Sequence, residues 1–379
     1  MKNLNFSFFC IVFLCSSLLS FSENNNPIEF SANYINENGS VFFGGKQKGI
    51  KMMGRGSLIL NIITKNMGLW DGGSVKIVGN VTHGGNFSDE LVGDYQIASN
   101  IDAGDHTYIH ELFYQQNLGS FCLKFGVQDL NADFLLTEYG AYFLNSSFGV
   151  PSVISHGLPA PIYPLTAMGG VIKYSIDDKL SFQTSIYDGL PISFENNPYN
   201  TNWHLNSKHG FQFFNEISLV TNFIRNYNTN IKIGLYHHTG INDTENKYFG
   251  EYTRKIGYYG IVDQEILINN PKTVSMFAQA TYSPSSKETD NYLYIGLGAV
   301  VSDYLPFLSD NKFGLALAYC EFNTIAYTYE LVIETFLRFN VTKVLTIQPD
   351  LQYIVNPGGG ISQQQRDAFV GFIRLILEN

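Results

Sequence analysis

The sequence predicts an all-β fold, a transmembrane antiparallel up-and-down β-barrel of about 16 strands with one long constriction loop folded into the lumen. Three observations carry this. Segments in which apolar and polar residues alternate with period two follow one another after Ser22. No segment has a helical period, and no later apolar run approaches the roughly 20 residues a spanning helix needs. Connections are long and short by turns, which suits a barrel with long loops on one end and tight turns on the other.

In chain order, an export signal comes first. Lys2 supplies a basic start, Phe6 to Ser20 an apolar stretch, and Ser20-Phe21-Ser22 a small-x-small cleavage site. Residues 1–22 are therefore expected to leave, and 23–379 to form one barrel domain. The expected strands are residues 28–36, 50–64, 72–84, 106–118, 120–131, 168–176, 180–189, 209–221, 230–240, 256–269, 272–283, 291–303, 311–323, 328–342, 344–356 and 367–379. Clusters of Gly, Asn, Asp and Pro separate them. Connections at 37–49, 85–105, 132–167 and 190–208 fall on one end, and those at 119, 177–179, 270–271 and 343 on the other. The short link near Asn323 breaks the rule.

The alternation is explicit in several strands. In "LTIQPDLQYIV", Leu345, Ile347, Leu351, Tyr353 and Val355 oppose Thr346, Gln348, Asp350 and Gln352. In "FCLKFGVQ", Phe121, Leu123, Phe125 and Val127 oppose Cys122, Lys124, Gly126 and Gln128. Leu180, Phe182 and Ile186 oppose Ser181, Gln183 and Ser185, while Leu331, Ile333, Leu337, Phe339 and Val341 oppose Glu334, Arg338 and Asn340. A ring this wide has an interior that side chains alone cannot fill, so the apolar edge is assigned to lipid. Closure then pairs every backbone group inside the bilayer.

Composition agrees. Charged residues are 15% of the chain and aromatics 15%, against about 25% charged residues in a soluble domain. The 24 tyrosines and 30 phenylalanines are expected partly as interfacial girdles, with Tyr252, Tyr258, Tyr259, Tyr292, Tyr294, Tyr327 and Tyr329 near strand ends. A formal charge of −10 with scattered Lys and Arg excludes a nucleic-acid partner.

Residues 131–168 are too long for a passive link. Phe134, Leu135, Leu136, Tyr139, Tyr142, Phe143 and Phe148 can pack, and Pro151, Pro159, Pro161 and Pro164 stiffen the return. The segment is expected to enter the lumen and narrow it, with Asp133 and Glu138 at the constriction.

Four blocks carry a family resemblance: "GLWDGGSVKIVGNVTHGGN" (68–86), "SNIDAGDHTYIHELFYQQ" (99–116), "FLNSSFG" (143–149) and "IETFLRFNVTKVLTIQPDLQYIVNPGG" (333–359). In this order they resemble the carbohydrate-selective porins, OprB type, of Gram-negative outer membranes. The resemblance covers almost the whole mature chain. It implies a sixteen-stranded barrel in the cell outer membrane that passes small sugars by diffusion.

A channel for neutral sugars needs hydrogen-bonding groups and aromatic faces on its wall. Inward candidates are Glu111, Gln115, Lys124, Gln128, Glu216, Glu334, Arg338, Gln348, Asp350 and Gln352, about half of them lining the path and the rest bracing the wall. His110 falls on the lipid side by parity and is expected near an interface. Arg55, Arg225, Arg254, Arg338, Arg366 and Arg374 are the six arginines, too few for a strongly basic eyelet.

Enzyme readings find little support. Glu334 and Asp350 could be imagined as a glycosidase pair, but nothing in sequence gives their separation or a raised pKa. "GGKQKG" and "NPGGG" read as turns, the histidines lack zinc spacing, and no cofactor or metal is called for. Cys10 and Cys15 leave with the signal; Cys122 and Cys320 fall on opposite walls and are expected unpaired. The alternatives to a sugar channel are a general or anion-handling porin and a plugged barrel acting as an adhesin. A monomer and a homotrimer fit the sequence equally.

Overall fold

A computed structural model describes residues 26–224, 227–242, 251–252, 254–269, 272–284, 291–305, 310–323, 329–360 and 366–378. The expected signal at 1–22, Tyr327 and most of the link after Asn323 lie outside the described residues.

The first strand, β1 (Ile28–Gly45), pairs with β2 (Gly49–Ile63) on one side and with the last, β18 (Arg366–Glu378), on the other. That double pairing closes the sheet. Between them run β3 (Gly73–Gly84), β4 (His106–Leu118), β5 (Phe121–Gln128), β6 (Ala167–Ser175), β7 (Leu180–Asp188), β8 (Phe211–Ile224) and β9 (Tyr227–His238). The ring continues with β12 (Lys255–Asn269), β13 (Lys272–Tyr282), β14 (Asn291–Ser302), β15 (Lys312–Phe322), β16 (Tyr329–Asn340) and β17 (Leu345–Val355). These 16 strands form one closed antiparallel barrel, each paired with its neighbours in sequence. β10 (Ile241–Asn242) and β11 (Glu251–Tyr252) make a separate two-stranded ladder in the connection after β9.

All expected strands are present, and one is longer than expected. β1 runs on to Gly45, through "NENGS", which reads as a loop because its polar residues interrupt the alternation. The pairing explains the extension. Glu37 faces Arg374 across the ladder and is fully buried, so an inward carboxylate with a cationic partner replaces the usual inward polar residue.

The outer face is apolar. Phe125, Ile172, Ile186, Ile217, Ile233, Leu297, Leu315, Leu317 and Ile373 are all exposed there, as an edge in contact with hydrocarbon requires. A charge at mid-depth on this face would cost about 2–4 kcal/mol. Trp70, which donates to the Tyr114 hydroxyl at 2.8 Å, and the Phe121–Tyr174 pair mark the end carrying the short turns. Phe42, Phe43, Phe369 and Tyr353 cluster at the other end.

The inner face is not uniformly hydrophilic, and here the two-edge expectation needs correction. Phe277, Tyr294, Val332, Phe336, Ile354 and Phe372 pack inside against Phe87, Phe143, Phe148 and Val153. A second cluster joins Tyr187, Phe214, Tyr236 and Tyr259 to Leu130, Phe134, Leu135 and Leu158. Two inserted segments fill much of the interior, so wall residues beneath them meet apolar chain instead of water. Tyr259 and Tyr294, expected in a girdle, are consequently buried in the interior.

Candidate functional site

The connection 129–166 touches inward side chains right around the ring. It meets Lys124 on β5, Glu216 on β8, Asp263 on β12, Gln279 on β13, Glu334 on β16 and Gln348 on β17. A segment that reaches one face of so many strands of a closed ring lies inside it.

Its irregular backbone has polar groups that need partners wherever packing shuts them off from water. The wall supplies them. Glu334 accepts from Leu144 N at 2.5 Å and Asn145 N at 3.0 Å, Glu216 from Leu135 N at 3.3 Å, and Asp263 from Thr137 Oγ1 at 2.7 Å and Glu138 N at 3.2 Å. In the opposite sense, Gln348 donates to Tyr142 O at 2.8 Å and Lys255 to Gly157 O at 2.8 Å, and Lys232 to Leu136 O. Carboxylates thus receive loop N–H groups, while amides and lysines reach loop carbonyls.

A second segment, residues 85–105, is held the same way. Glu330 accepts from Tyr95 N at 2.7 Å, Gln96 N at 2.9 Å and Gly358 N at 2.5 Å, and Gln352 donates to Ala98 O at 2.8 Å. Arg374 pairs with Glu37 and donates to Asn100 Oδ1 at 2.5 Å. Within the segment, Asp102 accepts from the backbone of Asn86, Phe87 and Ser88, yet its burial outweighs those bonds and raises its pKa.

Around these segments the wall pairs cations with acids and with aromatic rings. Lys76 lies 3.0 Å from Glu111, and Lys124 lies 2.5 Å from Asp133. Both ammonium groups also sit over Phe113, at 5.7 and 5.1 Å from its centroid. Across the lumen, Lys312 and Arg338 flank Tyr142 at 5.4 and 5.7 Å, and Arg55 covers Tyr163 at 5.4 Å.

A family model described as "Carbohydrate-selective porin, OprB family" matches residues 63–377. The chain belongs to that family. It is a porin of the Gram-negative outer membrane.

Solved structures share the fold. The high-pH structure of Pseudomonas putida OprB superposes with a TM-score of 0.80 at 17% identity, covering 93% of this chain and 94% of that one. The low-pH structure of the same protein gives 0.61 at 15% identity, with 93% of each chain covered. A loop-deletion mutant of Vibrio cholerae OmpT gives 0.54 at 10% identity, covering 93% of this chain and 100% of that one. No curated protein sequence matches this chain.

The porin distributes its sequence-predicted residues unequally. Gln128, Glu216, Glu334, Gln348, Asp350 and Gln352 are inward but buried. Of these, Gln128 ties to Gly169 O at 3.0 Å, and Glu216, Glu334, Gln348 and Gln352 hold the inserted segments. Glu334, fully buried and engaged with loop N–H groups, is not placed to meet a saccharide as a glycosidase acid. Glu111, Lys124 and Asp133 form the ion pairs above, and Gln115 and Arg338 are half-buried, the latter donating to Gln348 at 3.2 Å. Glu138 keeps an exposed surface on the inserted segment, and partial loss of water there, with Asp263 and Glu265 nearby, raises its pKa.

His110 corrects the parity argument. The β3–β4 register steps from Val78 against Glu111 to Gly79 against Ile109, so His110 is an extra residue in a bulge. A bulge turns two consecutive side chains the same way. His110 therefore lies inside, 3.2 Å from Asp129. Sequence reasoning missed Glu37, Arg55, Lys76, Lys312, Glu330 and Arg374. Lys76 alternates with the outward Val75 and Ile77, a signal that could have found it; for Glu37 and Glu330 the partners are remote in sequence. Cys122 and Cys320 are free.

Proposed function

We propose that this porin lets small neutral sugars diffuse across the outer membrane down their concentration gradient, with residues 129–166 setting the width of the path. The observation that carries the proposal is the pairing of the wall charges. Lys76, Lys124, Lys312 and Arg374 each sit against a carboxylate, and Lys232, Lys255 and Arg338 donate to carbonyl or amide oxygens, so the wall presents many donors and acceptors. A neutral polyhydroxyl solute can exchange its hydration for such a wall, whereas an organic anion gains no strong attractive field. The half-buried Tyr139 and Tyr142 offer ring surface for sugar C–H groups beside Glu138 and Arg338, and Gln115, Lys124 and Asp133 offer polar groups on the other side of the lumen. The family's description points the same way.

Single-channel current in a planar bilayer separates this from the alternatives. Neutral oligosaccharide should lower the current of the reconstituted porin saturably, and an organic anion of similar size should not. Current indifferent to saccharide contradicts the proposal, and a protein that inserts but never conducts is a plugged surface barrel.

A further inference from the structure

β4 loses its neighbour part-way along. Its last pair with β5 joins Leu112 to Val127, after which β5 ends at Gln128 and the chain turns into the lumen. Residues 106–111 of β4 are left with no strand on that side. β5, β6 and β7 have 8, 9 and 9 residues, against 13 in β4 and 14 in β8, so the sheet is cut low across three strands. A bare strand edge is not tolerated beside lipid.

The connection after β7 caps that edge. Ile109 N donates to Tyr199 O at 3.1 Å, Asn200 Nδ2 donates to Ile109 O at 2.9 Å, and Thr166 Oγ1 donates to His110 O at 2.6 Å. A further bond from Asn200 Nδ2 to Thr166 Oγ1, at 2.8 Å, ties the two capping groups together. The cap is itself braced. Asn197 Oδ1 accepts from Thr201 N at 3.0 Å and Asn202 N at 3.1 Å, Trp203 Nε1 donates to Asn200 O at 2.6 Å, and Asp188 accepts from Asn206 N at 2.7 Å.

This patch has two faces, as a wall does. On the inside, Asn200 is buried and Phe194 lies against the inward Tyr108, with ring centroids 4.8 Å apart. On the outside, Tyr199 and Leu205 are 64% and 53% exposed, with Pro198 exposed and Trp203 half-buried beside them. Tyr199 adjoins Ile109, which alternates with the inward Tyr108 and so faces out. From Leu118 at the turn end to Ile109, β4 climbs roughly 23 Å at about 3.3 Å per residue and a tilt of about 40°. The apolar band of such a barrel is about 25 Å tall. Tyr199 therefore stands at its upper border, where Tyr and Trp favour the junction of acyl chains and head groups.

We infer that residues 197–205 are part of the lipid-facing wall, a contact surface for outer-leaflet lipid with Tyr199, Trp203 and Leu205 as its anchors. The surface continues the apolar belt across the three short strands, and its backbone is tied down because an irregular segment at this depth meets little water. Its occupant is the lipid that already covers the belt on either side. The inference rests on the outer-membrane barrel and not on which solute the lumen passes.

Tryptophan fluorescence tests it, because the chain has two tryptophans, Trp70 and Trp203. Trp70→Phe leaves Trp203 as the reporter. In vesicles of a phosphatidylcholine brominated near the carbonyl end of its chains, the emission of this variant should fall about twofold against plain lipid, and less with bromine at the chain terminus. Acrylamide in the water should quench it weakly. The difference between wild type and Trp203→Phe gives the same readout with Trp70 in place. A triple variant, Trp70→Phe, Tyr199→Trp and Trp203→Phe, reads the more exposed position and should respond more strongly to bromine. Equal emission in brominated and plain vesicles at both positions, with strong quenching by acrylamide, overturns the inference. Absence of sugar flux through the wild type would count against the proposed function and leave this lipid contact standing.

Discussion

At the scale of single residues, the interior is governed by what burial does to a carboxylate. Those that receive several N–H groups act as anchors, as Glu330 and Glu334 do. Asp94, on the segment 85–105, shows what burial costs where no wall group anchors it. It is buried, and loss of water pushes its pKa above the ordinary 3.8, with Asp102 and Asp89 adding repulsion. A carboxyl whose folded pKa is raised stabilises the fold while protonated, and that contribution is lost as pH climbs past the ordinary value. Asp94→Asn should therefore raise the apparent unfolding temperature at pH 7.5, by a margin corresponding to about 1–3 kcal/mol, and change little at pH 4. Thermal scans of the two proteins at both pH values check this; equal shifts at both would show that Asp94 is neutral throughout. Single residues were only partly legible in the sequence. Period-two parity placed Glu111, Lys124, Glu216, Glu334 and Arg338 inward correctly, and it failed at His110 because a bulge adds one residue that no local pattern announces.

At the scale of elements, the inserted segment 129–166 is a loop that the wall keeps in place. Its anchors come from strands spread around the ring, so its position depends on side chains far away in sequence. Removing one should loosen it without opening the barrel. Glu334→Ala eliminates the hydrogen bonds from Leu144 N and Asn145 N, worth about 0.5–1.5 kcal/mol each. Single-channel recordings of this variant should show larger and noisier conductance than the wild type, and an unchanged quiet trace would mean that residues 143–148 are held by packing on Phe277 and Phe336 alone. The length and aromatic content of this segment made its insertion legible. The parallel role of residues 85–105 was not, since its polar sequence packs few large side chains, Phe87, Leu91, Val92, Tyr95 and Ile101 among them, and takes its fixation from Glu330, Gln352 and Arg374.

At the scale of the whole molecule, a closed ring of 16 strands was the most legible feature. Each strand states its own two faces, and each turn is marked by Gly, Asn or Asp, so the signal is repeated along the chain. Less legible was how far the interior is filled. Alternation tells which side chains point inward, not whether water or folded chain awaits them there. Phe336, Tyr294 and Tyr236 point inward and meet chain. The result is a barrel with two segments inside it, held by carboxylates, amides and lysines of its wall.

Initial swelling rates of proteoliposomes test that account most directly, using neutral sugars from pentose to trisaccharide and organic anions matched to them in size. Neutral mono- and disaccharides are predicted to enter several-fold faster than the matched anions, with a steep fall at the trisaccharide. Rates ordered by size alone, with sugars and anions interchangeable, would contradict it.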